Sequence, residues 1–174
     1  MARADTLVVI DMQAKLVPHI DDGERVTQRV AAIVRAAGLL DVPVVATEQN
    51  PRGLGATVDG LLDGRHRLIE KDSFDATRAN AFLAALPPAP GTLWIAGAEA
   101  HVCVLLTAIG LLARGYRVEW LADAVGSRRA ADRATANLRA QQEGARLTTV
   151  ETAIFSWLGD FRHPRFREAL ALIK

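Results

Sequence analysis

Short apolar runs rich in β-branched residues alternate along the chain with longer segments whose apolar positions recur every three to four residues. The short runs predict strands and the longer ones predict amphipathic helices, because side chains alternate across a strand but return to one helix face every 3.6 residues. The predicted strands are 6–10, 42–48, 66–71, 92–98, 116–123 and 146–150. The predicted helices are 25–40, 76–86, 100–115, 129–145, 152–159 and 163–174.

This alternation of strands and helices predicts an α/β fold. Repeated strand–helix–strand units favour a parallel sheet with helices on both faces. We therefore expect a three-layer α/β/α domain with a mostly parallel, doubly wound, Rossmann-like sheet. Residues 49–60 contain Gly and Pro and predict a loop, and no linker, repeat or low-complexity tract divides residues 1–174. A single domain is the expectation.

Composition removes several classes of function. Lys and Arg number 21 and Asp and Glu number 20, a balance that does not favour nucleic-acid binding. The single Cys cannot form an internal disulfide, which suits a reducing compartment. No segment reaches about 18 apolar residues without charge, so no membrane span or signal sequence is predicted. We expect a soluble, cytoplasmic protein.

Chemically capable side chains cluster at the predicted carboxyl ends of the strands. Asp11, Gln49 and Lys71 follow strands one, two and three, and Glu99 follows strand four. Cys103 falls in the first turn or so of the next helix. Open α/β sheets bind ligands at this edge, so these residues predict one site.

Each of these residues also has an ordinary explanation. Asp11 could cap a helix, Lys71 could be a solvated charge, and Cys103 could be a small buried apolar residue. Together they suggest nucleophilic chemistry. A helix N-terminus and a nearby ammonium would favour the thiolate, and a carboxylate could take the thiol proton and later activate water.

Three segments carry a resemblance to a known family. Residues 7–13 (LVVIDMQ), 70–76 (EKDSFDA) and 97–104 (GAEAHVCV) together resemble the isochorismatase-like cysteine hydrolases, a superfamily of isochorismatases, nicotinamidases and N-carbamoyl amidohydrolases. The isochorismatase domain-containing branch is the most similar, on the segments ATEQNPRGLG, DAVGSRRAADR and HPRFREALALIK.

The resemblance implies a role for each matching residue. Asp11 would be the general base, Lys71 the cation that stabilises the thiolate and the transition state, and Cys103 the nucleophile. A cis peptide bond between Ala98 and Glu99 would aim the Glu99 N–H at the substrate oxygen. That N–H and the Cys103 N–H would form the oxyanion hole.

The implied activity is hydrolysis of a small amide, carbamoyl or related acyl substrate through an acyl-enzyme. The partner is then a small molecule, no cofactor is needed, and self-association is expected because members of the family are often oligomeric. The predicted pocket comprises Leu16, His19, Gln49, Ser73, Phe74, Glu99 and His101. Asp123 is predicted to cap or orient a loop.

The chain departs from the nicotinamidases after strand two. Those enzymes carry an Asp-x-His-x-His metal site there, whereas this chain has TEQNPRGLG. Its four His residues, at 19, 66, 101 and 163, lack metal-ligand spacing. We therefore predict no metal site and no nicotinamidase activity. Asp75 replaces the Ser that commonly follows the aromatic residue of the Lys segment.

Two other functions fit the fold class. A nucleotide-binding module is disfavoured, because the glycines at 53, 55 and 60 do not form G-x-G-x-x-G and follow strand two instead of strand one. A catalytically weak or inactive family member that serves as an interaction or scaffold protein is the alternative that stays open, since fold does not fix function.

Overall fold

The computed structural model describes residues 5–174. Its strands are β1 (Asp5–Ile10), β2 (Val44–Gln49), β3 (His66–Lys71), β4 (Thr92–Ala98), β5 (Arg117–Gly126) and β6 (Arg146–Thr148). They form one six-stranded sheet in the order β3-β2-β1-β4-β5-β6, and each neighbouring pair is parallel. The chain starts at the centre and winds outward in both directions. The predicted doubly wound α/β fold is therefore confirmed.

Helices cover both faces of the sheet. They are α1 (Gly23–Leu39), α2 (Pro51–Leu54), α3 (Asn80–Ala85), α4 (Leu105–Leu112), α5 (Ala130–Gln142), α6 (Val150–Leu158) and α7 (Phe166–Ala171). Residues of α1 and α6 share one apolar cluster with Leu7 and Val9, and residues of α3, α4 and α5 share another with Val8 and Ile10. Residues 7–10 of β1 form an unbroken apolar run because both faces of the strand are covered there. No helix within residues 5–174 is long and apolar enough to cross a membrane.

The register of the central strands brings their carboxyl ends together. Ile10 lies opposite Thr47 of β2 and opposite Gly97 of β4. Gly97 has a φ of 127°, and a Cβ there would lie 2.1 Å from the Ile10 carbonyl oxygen. Only glycine permits this close approach of the backbones. The residues that follow β1 and β4 consequently start side by side.

One predicted helix is divided. The segment 76–86 forms a 3-10 turn at Ala76–Arg78 and then α3. The Asp75 carboxylate accepts a hydrogen bond from the Thr77 N–H and caps the 3-10 turn. Ala79 is extended, so the two pieces cannot continue into each other.

Three other segments differ from the sequence-based expectation. The predicted helix 100–115 begins as a π-helical turn, Ala100–Val104, which continues into α4. The predicted loop 49–60 contains the short helix α2. At the C-terminus only Phe166–Ala171 is helical, and the His163 ring accepts a hydrogen bond from the Arg165 N–H in the preceding turn.

Strand β5 is longer than predicted. The register with β4 shifts between Ile95 and Gly97, after which Gly97 pairs with Val125. The bulge lets pairing continue to Gly126. Asp123, the last residue of the predicted strand 116–123, therefore lies in the interior of β5.

Candidate active site

Asp11 lies directly after β1, at the centre of the sheet. Its φ of 48° is in the left-handed region, which Asp and Asn tolerate better than most residues. The side chain is fully buried, and Oδ1 accepts a hydrogen bond of 2.6 Å from the Thr47 hydroxyl. Oδ2 accepts one of 2.8 Å from the Lys71 ammonium. These two donors offset the cost of burying a carboxylate.

Lys71 ends β3 and lies behind the carboxylate. Its side chain is buried, and Nζ is 2.8 Å from Asp11 Oδ2, 2.9 Å from Gln49 Oε1 and 3.1 Å from the Ser73 carbonyl oxygen. An ammonium has three N–H donors, so each of them has a partner. No N–H of the Lys71 ammonium is therefore left for a bound molecule.

Cys103 is the fourth residue of the π turn, and 7% of its surface is exposed. Burial, and after it the negative charge of Asp11, raises the pKa of Cys103 to about 12, and Lys71 opposes this rise. The expectation of a resting thiolate is therefore wrong, because burial and the carboxylate outweigh the ammonium. The thiol keeps its proton beside a base that can accept it.

The backbone before the π turn is tied to the loop after β5. The Ala98–Glu99 peptide bond is cis, as the resemblance implied. The Glu99 carbonyl accepts hydrogen bonds from the N–H groups of Val102 and Val104. Its carboxylate accepts from the Arg128 Nε at 2.9 Å and from the Arg128 backbone N–H at 3.2 Å. Two loops from neighbouring strands are thus joined at the start of the turn that carries the thiol.

A cavity of about 490 Å³ opens beside the thiol. Its lining residues come from the ends of β1, β2, β4 and β5 and from the adjoining loops: Asp11, Lys15, Leu16, His19, Gln49, Leu54, Phe74, Glu99, Val102, Cys103 and Arg128. A carboxylate, a thiol and a space for a small molecule therefore meet at the edge that the fold class predicts.

The family is decided by the sequence match. Residues 5–152 match the sequence model of the Isochorismatase domain. This chain belongs to the isochorismatase family. The Isochorismatase domain-containing protein 2 of Xenopus laevis is 36% identical to it over 173 residues, which cover 98% of this chain and 84% of that protein. The human protein of the same description is 37% identical over 171 residues, which cover 98% and 83%.

Solved structures agree with the isochorismatase assignment. The MAR1 ribonuclease of Caenorhabditis elegans superposes with a TM-score of 0.88 at 35% identity, over 97% of this chain and 88% of that one. The YcaC gene product of Escherichia coli, described as an octameric hydrolase of unknown specificity, has a TM-score of 0.87 at 24% identity, over 96% and 84%. The second similarity establishes the fold alone.

Most residues predicted for the pocket of this isochorismatase-family chain line the cavity, but two do not. The Ser73 hydroxyl donates to the Asp75 carbonyl, and only the Ser73 backbone oxygen contacts Lys71. The His101 Nδ1 lies 2.9 Å from the Ser127 hydroxyl on the loop after β5. Both side chains are occupied outside the lining. Ala98 is buried within β4 and contributes backbone only.

Sequence reasoning missed several contributors. Thr47 carries the donor to Asp11, and strand alternation was a usable signal, because Thr47 lies two residues before Gln49 on the same face of β2. The other missed residues line the cavity from loops, from the short helix α2 or from the π turn: Lys15, Leu54, Val102 and Arg128. Loop conformation decides those positions, and no periodic pattern encodes it.

Other acidic residues at this edge have structural roles. Asp123 accepts a hydrogen bond from the Val150 N–H and so caps α6, as predicted. Glu48, which also lies at the predicted edge, accepts hydrogen bonds from both the N–H and the hydroxyl of Thr57. Within residues 5–174, no group of three or more His, Cys, Asp or Glu side chains is placed to hold a metal ion.

Proposed function

We propose that this protein is a cysteine hydrolase that cleaves small amide, carbamoyl or related acyl compounds. Cys103 is the nucleophile, Asp11 the general base and Lys71 the stabilising cation. The observation that carries the proposal is that the Asp11 carboxylate and the Cys103 thiol line the same cavity of about 490 Å³, where the carboxylate charge helps to raise the pKa of the thiol. Cavities of about 300–1,000 Å³ are usual for small-molecule sites.

The first half of the reaction forms an acyl-enzyme. Cys103 Sγ attacks the substrate carbonyl carbon as its proton passes to Asp11, and the carbonyl electron pair moves to oxygen. When the tetrahedral intermediate collapses, the C–N bond breaks and Asp11 returns the proton to the departing nitrogen. The products are a thioester on Cys103 and a free amine or ammonia.

The second half regenerates the thiol. Water attacks the thioester carbon and gives a proton to Asp11, the C–S bond breaks, and Sγ takes up that proton. A carboxylic or carbamic acid leaves. The same carboxylate therefore acts as base and acid in turn.

The raised pKa of Cys103 favours attack coupled to proton transfer over a preformed thiolate. A buried sulfur anion beside Asp11 would be costly, whereas moving the proton onto the carboxylate keeps the net charge of the pair constant. The Lys71 charge would then stabilise the negative charge both when it lies on the Asp11 carboxylate and when it lies on the sulfur.

Backbone N–H groups are the proposed oxyanion donors. The Lys71 ammonium has its three donors engaged by protein acceptors. The oxyanion would instead be bound by two backbone N–H groups, that of Glu99 just before the π turn and that of Cys103 within it. Each such donor is typically worth about 10²–10³ in rate.

Cleavage of RNA is not favoured as the activity. The C. elegans relative is described as a ribonuclease. RNA-binding proteins usually provide a strongly basic surface, whereas this chain has a net charge of +1. Its thiol is also largely buried at a cavity of small-molecule size. A small substrate fits these observations better.

Trapping of the acyl-enzyme tests the proposal. A panel of small amides, carbamoyl compounds and esters would be mixed with the protein, and intact-mass spectrometry would follow an adduct that peptide mapping assigns to Cys103. Wild type should accumulate the adduct with at least one ester or amide, and Cys103→Ala should neither form it nor turn over. Turnover by Cys103→Ala at the wild-type rate would end the covalent scheme. Absence of adduct and turnover across the panel would support the scaffold alternative.

Two wider properties belong to the same proposal. The protein would act as a homo-oligomer, as the E. coli neighbour described as octameric does, and it would act in the cytoplasm. Light scattering coupled to size-exclusion chromatography measures the first property, and cell fractionation of the native protein measures the second.

A further inference from the structure

We infer that Lys15 recognises an anionic group on the substrate, so that the preferred substrates are small amides or carbamoyl compounds that carry a carboxylate. This inference rests on the proposed hydrolase function and narrows its substrate class. What points to it is a cation on the wall of the cavity whose charge no neighbouring acid balances.

Charges around the cavity are otherwise paired. Asp11 binds Lys71 at 2.8 Å, and Glu99 binds Arg128 at 2.9 Å. Lys15 also lines the cavity, and its ammonium forms no ion pair within residues 5–174. When the ion-pair partners of the lining residues are counted, the cavity therefore carries one uncompensated positive charge, that of Lys15. Such a charge at a cleft raises the local concentration of anions and lowers that of cations.

The backbone that carries Lys15 is held in place. The Lys15 N–H donates to the Leu54 carbonyl at 3.0 Å, and the Ala14 N–H donates to the Ala56 carbonyl at 2.9 Å. The buried Gln13 amide donates to the Gly55 carbonyl at 2.6 Å. The segment after β1 is thus clamped to the segment around α2. A cation on a fixed backbone pays less ordering entropy when it binds a ligand than one on a free loop.

The remaining walls suit the rest of such a molecule. Leu16, Leu54 and Val102 supply apolar surface to the cavity that the thiol and Lys15 also line. Lys15 is exposed whereas the thiol is largely buried. A short carbon chain would contact the apolar side chains, with its amide carbon at the thiol and its carboxylate toward solvent at Lys15.

Two substrates of similar size test this. Succinamate and butyramide are both short-chain primary amides, and only the first ends in a carboxylate. The measured quantity is the ratio of their kcat/KM values in wild type, Lys15→Met and Lys15→Glu. Lys174→Met, which removes the same charge outside the cavity lining, is the matched control.

We expect wild type to prefer succinamate, Lys15→Met to lower the ratio about fivefold through KM, and Lys15→Glu to lower it about 25-fold. Lys174→Met should leave the ratio unchanged, and added KCl should lower it in wild type only down to the Lys15→Met value. A wild-type ratio of one or less, or a ratio that Lys15→Met does not change, overturns the inference.

Failure of the inference and failure of the hydrolase proposal are distinguishable. Hydrolysis of butyramide with no preference for succinamate would overturn only the role of Lys15. If neither amide is turned over, calorimetric binding of succinamate to the Cys103→Ala protein decides. Binding that weakens about fivefold when Lys15→Met is added supports the anion site, and binding insensitive to Lys15 overturns it.

Discussion

Replacing Asp11 by Asn should make the thiol more reactive while it abolishes hydrolysis. The Asp11 carboxylate raises the pKa of Cys103 by its negative charge. Asn has nearly the same shape, keeps an oxygen that can accept from Lys71 or Thr47, and tolerates the left-handed backbone at this position. The substitution therefore removes the charge and the base with little change in geometry.

The size of the effect follows from the ionised fraction of the thiol. With a pKa of about 12, Cys103 is ionised to only about 3 parts in 10⁵ at pH 7.5. Removing an adjacent carboxylate lowers such a pKa by about one to three units. Nucleophilicity falls as the pKa falls, with a Brønsted slope of about 0.4–0.5, so the net gain in reaction with a disulfide is about 3- to 60-fold.

The assay is the reaction of Cys103, the sole thiol, with 4,4′-dithiodipyridine, followed by the absorbance of released pyridinethione at pH 7.5. Wild type should react more slowly than free cysteine, Asp11→Asn faster than wild type, and Lys71→Met more slowly than wild type. Both variants should lose hydrolysis.

The variants need a fold check, because removing one partner of a buried ion pair costs about 3–5 kcal/mol. Circular dichroism spectra recorded at the assay temperature, together with the Tm of each variant, show whether the variants are folded. A folded Asp11→Asn protein whose thiol reacts more slowly than wild type would refute the electrostatic account of the site. Wild-type reactivity far above that of free cysteine would show that the resting sulfur is ionised after all.

Three further predictions concern the residues around this site. Thr47→Val should lower kcat about 10–100-fold with KM unchanged, because the Asp11 carboxylate loses the donor that orients it. Thr47→Ser should restore kcat, and a kcat in Thr47→Ser as low as that in Thr47→Val would contradict this. Gly97→Ala should lower the free energy of unfolding by about 3 kcal/mol or more, measured by urea denaturation, because the Cβ would lie 2.1 Å from the Ile10 carbonyl oxygen. Gly144→Ala, also at positive φ but with nothing within 4 Å, is the control and should lose less. Because the neutral thiol is favoured in the folded state, the free energy of unfolding should fall as pH rises from about 9, where an unfolded thiol ionises, toward 12. In denaturant titrations Cys103→Ala should lack that part of the pH dependence, and an identical dependence in both proteins would contradict the prediction.

Local sequence patterns were sufficient for most of the fold. Strand β4 has the predicted bounds because a buried parallel strand is a continuous apolar or β-branched run with few competing conformations. The partly exposed edge strand β3 also has the predicted bounds. The errors occur where a local contact interrupts a periodic pattern. The Asp75 cap divides one predicted helix, and a bulge between Ile95 and Gly97 lengthens the pairing of β5.

The site was predictable in part for the same reason. That Asp11, Lys71 and Cys103 lie at one edge of the sheet follows from their positions at or just after the carboxyl ends of strands, together with the parallel sheet that the strand–helix alternation predicts. The conclusion that the thiol is protonated does not follow from the sequence. It depends on how deeply Cys103 is buried and on which charge is nearest to it.

The amino-acid sequence by itself thus determined the α/β class, the order of elements and the three chemical groups at one edge, because periodicity and strand-end position are local properties. Tertiary structure alone decided that Thr47 binds Asp11, that the Lys71 donors are all engaged, and that Lys15 lines the cavity with no acidic partner among residues 5–174. Hydrogen bonds, burial and charge balance depend on distances between residues remote in sequence. Those distances are set only when the loops pack against the finished sheet.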